Sequence, residues 1–398
     1  MKILQVIPFF TPSLGGSVTI PYQLSHWLAE EGHEVTIITT DYKYDPDYAQ
    51  SLENVEVIPF RQVAHLGLFL YSPGMRGWLE TNISKYDVVH LHNFRSYQNN
   101  IVCKYAKEFK VPYIVQPHGS LPRIVQKKGL KQLYDAVWGN KILQNAEGII
   151  ALTSMEAEQA IMMGAKESKI RIVANGIDLS QYENIPRQGF FRARYHISSR
   201  THLILYLGRL HPIKGVDLLI HAFDIISKET DDCTLVVVGP NDGSLSELKT
   251  IVKELNLCEK VLFTGPLYGR DKSAAYCDSD IYVLPSRYET FPMTVLEAWA
   301  FKKPVIITDN CGIKDLVRGS GLVVQPNPHD IAIALRKYLQ QDSLRCQHGQ
   351  DGYDKLHENL SLQKTVQHIE ILYQNVIQLK GLDPYRRTGS VESGIGQE

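Results

Sequence analysis

The chain alternates between short apolar runs and longer stretches in which hydrophobic residues recur at helical spacing. Apolar runs rich in β-branched residues are typical of strands buried on both faces of a parallel sheet. In the first half the predicted strands are Lys2–Ile7, Glu34–Thr39, Val55–Pro59, Val88–His90, Tyr113–Gln116 and Gly148–Leu152. In the second half they are Leu203–Leu207, Thr234–Val238, Val261–Thr264, Ile281–Leu284 and Val305–Thr308. Helical spacing between them, as in Val18–Glu31 and Gly215–Lys228, predicts repeated βαβ units and hence a doubly wound α/β fold.

This series of strands and helices occurs twice, separated by Asn175–Tyr195, which is rich in Gly, Pro and polar residues. The pattern predicts two Rossmann-like domains, 1–178 and 179–360, joined by a hinge and facing a central cleft. Helical spacing of apolar residues predicts a C-terminal helix at about 361–379, which we expect to pack back on the first domain. The polar tail 381–398 is expected to be disordered.

Composition narrows the class of protein. The 398 residues include 42 Lys and Arg against 43 Asp and Glu, so net charge does not favour a nucleic-acid partner. The six cysteines form no CxxC pair and no zinc-type spacing, which is typical of reduced thiols in the cytosol. The N-terminal apolar run ends at Pro8, and no run in the sequence reaches membrane length. We therefore expect a cytoplasmic protein that at most lies on a membrane surface.

The strongest chemical motif is Ser286–Ala298, directly after a predicted strand. Pro292 favours a helix that begins at this point, which places Glu289 in the preceding loop and Glu297 on the second turn. The first amides of that helix form an anion site, and carboxylates accept hydrogen bonds from sugar or ribose hydroxyls. A strand–helix loop with two solvated glutamates explains the spacing equally well.

A second motif, Tyr206–Gly215, follows the first strand of the second domain. Gly208 allows a sharp turn and Gly215 opens the next helix, so Arg209 and Lys214 would stand together as a pair of cations. Such a pair holds a diphosphate and stabilises it when it leaves. The alternative is two exposed basic residues on a loop.

Two weaker motifs lie in the first domain. The loop Ser13–Ser17 contains Gly15 and Gly16 after the first strand, where glycines let a ligand approach a helix N-terminus. His118, within Gln116–Ser120, follows another predicted strand and would face the cleft, where it can hydrogen-bond a sugar hydroxyl. A plain tight turn and a structural histidine are the respective alternatives.

The stretch 123–141 has basic and apolar residues interleaved. A basic amphipathic helix can lie on an anionic bilayer, so this stretch predicts a peripheral membrane contact. A surface helix with an ordinary core-facing side is the alternative. Its basic residues are Arg123, Lys127, Lys128, Lys131 and Lys141.

Together these motifs resemble the GT-B-fold retaining glycosyltransferases of family GT4, from Met1 to about Leu379. The E-x7-E spacing of Glu289 and Glu297 is the most specific part of the resemblance, and Asn175–Asp178 adds to it. The resemblance implies an α/β GT-B enzyme that transfers a sugar from a UDP-sugar or GDP-sugar to a glycan or lipid-linked acceptor. It also implies a place in polysaccharide or glycoconjugate biosynthesis and chemistry without a metal or other cofactor.

The resemblance further implies residue roles. Arg209 and Lys214 would grip the donor diphosphate, Glu289 would hold the transferred sugar and Glu297 the ribose. His118 would contact the sugar near the reacting centre. The leaving phosphate itself can take the acceptor proton, so no dedicated protein base is required. The other donor-binding residues implied are Gly15, Gly16, Gly239, Leu267, Phe291, Met293 and Thr294.

Two features depart from this picture or compete with it. Cys311–Asp315 stands where the family often has Gly-Gly-x-x-Glu, which changes the expected sugar contacts. Asp278 and Asp280 match the D-x-D metal motif of a different transferase fold, but they precede a strand at its amino end and are expected to be structural. Two alternative functions remain: a GT-B-fold sugar-nucleotide epimerase and a non-catalytic sugar-nucleotide-binding protein.

Overall fold

The computed structural model describes residues 1–12, 15–67, 69–123, 128–183 and 186–381. They form two compact units: Met1–Ala174 with the described residues from Thr365 onward, and Asn175–Lys364. Four predicted features lie partly outside the described residues: the polar tail from residue 382, the glycine loop at Ser13 and Leu14, the basic stretch at residues 124–127, and the hinge at Asn184 and Ile185.

The first unit is built on a seven-stranded parallel sheet. Its strands are β1 (Lys2–Val6), β2 (Glu34–Thr40), β3 (Val55–Phe60), β6 (Val88–His92), β7 (Tyr113–Gln116), β8 (Gly148–Ala151) and β9 (Ile170–Ile172), and a separate antiparallel pair is formed by β4 (Ala64–Leu66) and β5 (Phe69–Tyr71). The order across the sheet is β3-β2-β1-β6-β7-β8-β9, so the direction of winding reverses between β1 and β6.

Helices cover both faces of this sheet. They are α1 (Gly16–Glu30), α2 (Pro46–Gln50), α3 (Gly74–Asn82), α4 (Tyr97–Glu108), α5 (Lys128–Tyr134), α6 (Asn140–Asn145) and α7 (Ser154–Met162). Ile37 and Ile38 are successive residues of β2 and lie in different hydrophobic clusters, because side chains alternate across a strand. Burial on both faces explains why the strands read as continuous apolar runs.

The second unit is built on a six-stranded parallel sheet. Its strands are β10 (His202–Leu207), β11 (Cys233–Val238), β12 (Val261–Gly265), β13 (Ile281–Leu284), β14 (Val305–Thr308) and β15 (Gly321–Val324). Its helices are α8 (Phe190–Arg194), α9 (Val216–Ser227), α10 (Leu245–Glu254), α11 (Gly269–Asp278), α12 (Met293–Ala300), α13 (Lys314–Val317), α14 (Pro328–Gln340) and α15 (Asp342–Asn359). The order β12-β11-β10-β13-β14-β15 places the switch point, where ligands of such sheets bind, between β10 and β13.

The C-terminal helix α16 (Leu362–Gln378) runs from the end of the second unit into the first. The Thr365 side chain donates a hydrogen bond to the Ala174 carbonyl at 3.0 Å. Further along the helix, Tyr373 is fully buried and contacts Gln5 of β1 and His90 of β6. The apolar face of α16 therefore belongs to the core of the first unit.

Every strand predicted from the sequence is present, with its ends shifted by two residues at most. Sequence reasoning missed the edge strands β9 and β15 and the β4–β5 pair. The strands β4, β5 and β9 are only three residues long, and β9 includes the exposed Arg171, so none of these three shows a sustained apolar run. The strand β15 is apolar but short, and it begins at Gly321, which as a glycine also suits a turn. Among the described residues, no helix is long and apolar enough to cross a membrane.

Candidate functional site

The site in the second unit begins where the loops after β10 and β13 meet. Gly215 adopts a φ of 67°, and a Cβ at this position would lie 2.1 Å from the Pro285 carbonyl oxygen. Only glycine allows so close an approach of the two backbones. The Arg287 amide donates to the Ile213 carbonyl at 2.8 Å, and the Arg287 guanidinium binds both carboxylate oxygens of Asp217. These contacts fix the two loops to each other at the switch point.

Lys214 and Glu289 meet at this junction. The Lys214 ammonium donates a hydrogen bond to Glu289 Oε2, and each side chain is about one-sixth exposed. The Glu289 backbone pairs in turn with the loop after β14: its amide donates to Asn310 O at 3.3 Å, and Gly312 donates to its carbonyl at 2.8 Å. The carboxyl ends of three strands thus hold one ion pair in a half-buried position.

Arg209 lies on the same loop as Lys214 but is more exposed. Its guanidinium pairs with Asp242 at 2.5 Å, with 62% of the side chain accessible. Gly239 allows the loop after β11 to lie against the loop after β10, because a Cβ at this position would lie 1.8 Å from the Gly208 carbonyl oxygen. The sequence motif predicted that Arg209 and Lys214 stand together as a pair of cations; in the structure each of them also has a carboxylate partner. Asp242 was not singled out from the sequence, since nothing local links it to Arg209.

Helix α12 starts beside this ion pair, with Pro292 at its N-cap rather than in its first turn. The first amides of a helix have no intrahelical acceptor, so those of Met293 and Thr294 are free to face an anion. Tyr282 holds the start of the helix by donating to Thr294 Oγ1 at 2.6 Å. Phe291 is buried just before the helix, and Leu267, which follows β12, is half-buried.

Glu297 lies on the second turn of α12, as the spacing predicted, and is 12% exposed. Lys272 donates to its Oε1 at 3.0 Å, and the Tyr276 hydroxyl donates to its Oε2 at 2.9 Å. Burial raises the pKa of Tyr276 well above its usual value, so this hydroxyl remains a donor. Lys272 and Tyr276 come from α11, and the motif gave no sign of them.

In the first unit, His118 follows β7 in a left-handed conformation with a φ of 52°. Such a backbone is strained for a residue with a Cβ and must be held by its surroundings. The fully buried Glu156 supplies this restraint, because it accepts hydrogen bonds from the Gly119 amide at 2.6 Å and the Leu152 amide at 2.8 Å. Burial raises the pKa of Glu156 to about 7.

The His118 imidazole is fixed by a second histidine. His118 Nε2 lies 2.9 Å from His92 Nδ1, and His92 Nε2 lies 2.6 Å from Gln5 Oε1. Burial lowers the pKa of His118 to about 3 and that of His92 well below its usual value, so both rings are neutral at physiological pH. His92 lies at the carboxyl end of β6, which could have indicated this contact.

Gly15 and Gly16 lie where helix α1 begins. Gly15 is the N-cap with a φ of 72°, and among the described residues nothing comes within 4 Å of a Cβ added at either glycine. The described residues therefore do not fill the space beside these two glycines, in contrast to the crowded Gly215 and Gly239.

The D-x-D sequence of Asp278 and Asp280 has a structural role. Asp278 accepts hydrogen bonds from the amides of Gly189 at 2.6 Å and Arg192 at 2.9 Å. Asp280 pairs with the Arg192 guanidinium at 2.8 Å. In the part of the chain that the structure describes, no group of three or more His, Cys, Asp or Glu side chains is arranged to hold a metal ion.

Two sequence families match the two units. Residues 15–176 match the family described as Glycosyl transferase 4-like domain, and residues 188–355 match Glycosyl transferases group 1. The chain belongs to the group 1 glycosyltransferases. This enzyme therefore has the GT-B architecture of two Rossmann-like domains, as the resemblance implied.

Relatives of this glycosyltransferase cover most of its length. It is 28% identical to an uncharacterised glycosyltransferase of Methanocaldococcus jannaschii, over 87% of this chain and 90% of the relative. It is 25% identical to mannosylfructose-phosphate synthase of Agrobacterium fabrum, over 85% of this chain and 81% of the relative. The crystal structure of Anabaena HepE in complex with UDP has a TM-score of 0.80 at 19% identity and covers 94% of this chain and 100% of that one. HepE has also been crystallised with UDP-glucose.

Proposed function

We propose that this glycosyltransferase transfers a sugar, with retention of anomeric configuration, from a UDP-sugar or GDP-sugar to a glycan or lipid-linked acceptor. Such a reaction would serve polysaccharide or glycoconjugate biosynthesis. The observation that carries the proposal is the Lys214–Glu289 pair at the switch point, next to the start of α12. The UDP and UDP-glucose complexes of HepE, a protein of the same fold, support a nucleotide-sugar donor.

The donor diphosphate needs positive charge, and the loop after β10 and the start of α12 supply it. Lys214, Arg209 and the amides of Met293 and Thr294 present cations and N–H groups at the carboxyl edge of one sheet. We propose that the diphosphate replaces Glu289 as the partner of Lys214. The released carboxylate then accepts a hydrogen bond from a hydroxyl of the transferred sugar.

Further contacts would complete the donor site. Glu297 would accept hydrogen bonds from the ribose hydroxyls, while Gly239, Leu267 and Phe291 border the nucleotide. Gly15 and Gly16 would let the donor approach the start of α1, and His118 would bind a sugar hydroxyl. Because two cations and helix amides supply the charge at the diphosphate, we propose that no metal ion is needed.

The proposed reaction proceeds on one face of the sugar. The bond between the anomeric carbon and the diphosphate oxygen breaks, and the acceptor oxygen forms its bond to the same carbon from the same face. The acceptor proton passes to the departing diphosphate oxygen. The protein contributes mainly by stabilising the negative charge that develops on the leaving group, which Lys214 and Arg209 are placed to do.

Thermal unfolding with UDP, GDP, ADP and CMP, each with and without EDTA, tests the donor site. A ligand at a hundred times its dissociation constant adds about 2.7 kcal/mol of stability, which is easily measured. We expect one nucleoside diphosphate to raise the unfolding temperature, EDTA to leave the shift unchanged, and Arg209→Ala with Lys214→Ala to abolish it. No shift with any nucleotide would contradict the proposal.

The reaction itself is tested by incubating the enzyme with UDP-glucose, UDP-galactose, UDP-N-acetylglucosamine and GDP-mannose. Release of the nucleoside diphosphate identifies the donor, and proton NMR of the first sugar formed reports its anomeric configuration. A first product with the donor's configuration supports retention, and the opposite anomer would contradict it. Interconversion of the donor sugar without release of the nucleotide would indicate the epimerase instead.

We also propose that the stretch 123–141 contacts an anionic membrane. From residue 128 onward this stretch forms α5, a π-helical turn at Asp135–Gly139 and the start of α6, rather than a single α-helix. Tyr134 is buried, but four apolar side chains are between 41% and 62% exposed: Leu130, Leu133, Val137 and Trp138. Lys141 lines a cavity of about 160 Å³ with Trp138, Lys104 and Lys107, which adds positive charge beside this apolar surface.

Sedimentation with vesicles of anionic and of purely zwitterionic lipid tests this contact. We expect the protein to sediment with the anionic vesicles only, and the combined change Lys128→Gln, Lys141→Gln and Trp138→Ala to reduce that fraction several-fold. Lys249→Gln with Lys253→Gln, two exposed lysines of the second unit, is the matched control. Equal sedimentation of all three proteins would contradict membrane contact through this surface.

A further inference from the structure

A chain of hydrogen bonds runs from the C-terminal helix to His118 within the first unit. The Tyr373 hydroxyl lies 2.7 Å from His90 Nδ1 and accepts a hydrogen bond from Gln5 Nε2 at 3.2 Å. Gln5 Oε1 contacts His92 Nε2 at 2.6 Å, and His92 Nδ1 contacts His118 Nε2 at 2.9 Å. We call these five residues the Tyr373–His118 network. All except His118 are fully buried.

The contact distances give this network a direction. A separation of 2.6 Å between Gln5 and His92 Nε2 suits an N–H donor and an oxygen acceptor, and it is too short for two nitrogens. His92 therefore carries its proton on Nε2 and accepts with Nδ1. Because both imidazoles are neutral, each has one N–H group, and His118 must use its own on Nε2 to donate to His92.

This arrangement leaves a defined atom of His118 available. Its Nδ1 is then an acceptor, and among the described residues no hydrogen-bond partner of this atom is found. His118 also keeps part of its surface accessible, unlike His90 and His92. A neutral imidazole that presents a lone pair binds a hydroxyl as an acceptor, whereas the opposite tautomer would present an N–H.

We propose that Gln5 and Tyr373 are positioning residues that hold His118, through His92, as the Nε2–H tautomer, so that His118 Nδ1 accepts a hydrogen bond from a sugar hydroxyl. Tyr373 orients the Gln5 amide, because its hydroxyl oxygen accepts from Gln5 Nε2 and the same hydroxyl is held by its contact with His90 Nδ1. The inference rests on the proposed function, in which His118 binds a sugar. Enzyme whose His118 is in the other tautomer binds that sugar poorly, so kcat/KM falls in proportion to the Nε2–H population.

Long-range proton–nitrogen NMR spectra of enzyme labelled with nitrogen-15 in the histidine rings test the tautomers directly. His92→Gln and His118→Gln serve to assign the two rings. In the unmodified enzyme we expect both to show a protonated Nε2 and an unprotonated Nδ1. A protonated Nδ1 on His118 would overturn the proposal, because the network would then run in the opposite direction.

Two variants test the positioning role, each with a matched control. Tyr373→Phe removes the hydroxyl that orients Gln5, and Gln5→Met removes the acceptor of His92. Tyr113→Phe removes a buried hydroxyl that binds Ile142 O at 2.8 Å, and Gln98→Met removes a buried amide that binds Leu70 O at 2.8 Å. The controls are expected to lose stability but not to change the His118 spectrum.

In Tyr373→Phe and Gln5→Met we expect His118 Nδ1 to become partly protonated. Loss of nine-tenths of the Nε2–H tautomer should lower kcat/KM for the nucleotide sugar about tenfold. An unchanged His118 spectrum in both variants, or a shifted spectrum with unchanged kcat/KM, would overturn the proposal. Failure of the donor hypothesis is recognised separately, because the unmodified enzyme would then turn over no nucleotide sugar while its spectra still report the tautomer.

Discussion

The Pro285 carbonyl oxygen occupies the position next to Gly215 where any other residue would place its side chain, 2.1 Å from an added Cβ. Pro285 follows β13 and Gly215 ends the loop after β10, so this contact sets the separation of the two loops at the switch point. Lys214 precedes Gly215, and Glu289 lies four residues beyond Pro285. The ion pair of the proposed donor site therefore depends on a glycine that is not itself among the residues proposed to bind the donor.

Gly215→Ala should destabilise the second unit. The substitution adds a clash with Pro285 O, costing about 1–3 kcal/mol, to the strain of a side chain at positive φ, about 1 kcal/mol. Gly189→Ala is the control, since its φ is 88° but no described residue comes within 4 Å of the added Cβ. We expect the thermal unfolding temperature to fall clearly more for Gly215→Ala. Equal falls in unfolding temperature for the two variants would show that the loops after β10 and β13 can move apart without a loss of stability.

Glu289→Gln and Lys214→Met should have separable effects. Without the Glu289 carboxylate, turnover of the nucleotide sugar should fall about 100-fold, while the free nucleoside diphosphate binds no less tightly because a negative charge has been removed. Without the Lys214 ammonium, affinity for the nucleoside diphosphate should itself fall about 10- to 100-fold.

Calorimetric titration with the nucleoside diphosphate and initial-rate measurements on the same preparations distinguish these outcomes. Lys228→Ala is the control, because Lys228 pairs with Asp224 on an exposed face of the same unit. Loss of nucleotide affinity in Glu289→Gln as well would mean that Glu289 does not act on the sugar alone.

The fold was predictable because its central strands carry a signal that does not depend on distant residues. Strands such as Val88–His92 and Ile281–Leu284 are buried on both faces, so each stands out as an apolar run. The edge strand at Ile170–Ile172 has two exposed residues out of three and gives no such signal. Edge strands are defined by the neighbour they pair with, which a local pattern does not contain.

The candidate site was predictable only for residues within a motif. Glu289, Glu297 and Lys214 belong to loops with recognisable glycine, proline and carboxylate spacing. Other contacts join a motif residue, or a residue behind it, to a distant part of the chain: Asp242 is 33 residues from Arg209, and Tyr373 is 283 residues from His90. Such contacts arise from topology, so the paired state of the cations and the network behind His118 became visible only in the structure.

Glu156 should make stability depend on pH in an unusual direction. Its pKa rises from the ordinary 4.5 to about 7 because it is buried, so the folded chain binds its proton more tightly than the unfolded chain. Between these pH values the folded state holds more protons, and the free energy of unfolding falls as pH rises, by up to about 3 kcal/mol from this group.

This dependence is measured by chemical denaturation at several pH values between 4.5 and 8. Glu156→Gln has no titrating group at this position, so the stability of the unmodified enzyme relative to this variant should decline across that range. Glu158→Gln, on an exposed position of the same helix, should follow the unmodified enzyme at every pH. A constant difference between the enzyme and Glu156→Gln would show that the carboxyl group is ionised throughout.

Glu297 should distinguish ribose from deoxyribose. If its carboxylate accepts hydrogen bonds from the ribose hydroxyls, the 2′-deoxy or 3′-deoxy form of the bound nucleoside diphosphate should bind about tenfold more weakly to the unmodified enzyme. Glu297→Met lacks the acceptor, so it should bind the ribose and deoxyribose forms with the same, weaker affinity. Glu247→Met, at an exposed position on α10, should keep the full discrimination.

Dissociation constants from calorimetric titration complete the thermodynamic cycle, which separates the contact between Glu297 and the ribose from a general loss of affinity. Full discrimination in Glu297→Met would place the ribose elsewhere, and Glu297 would then serve only to hold Tyr276 and Lys272 against α12.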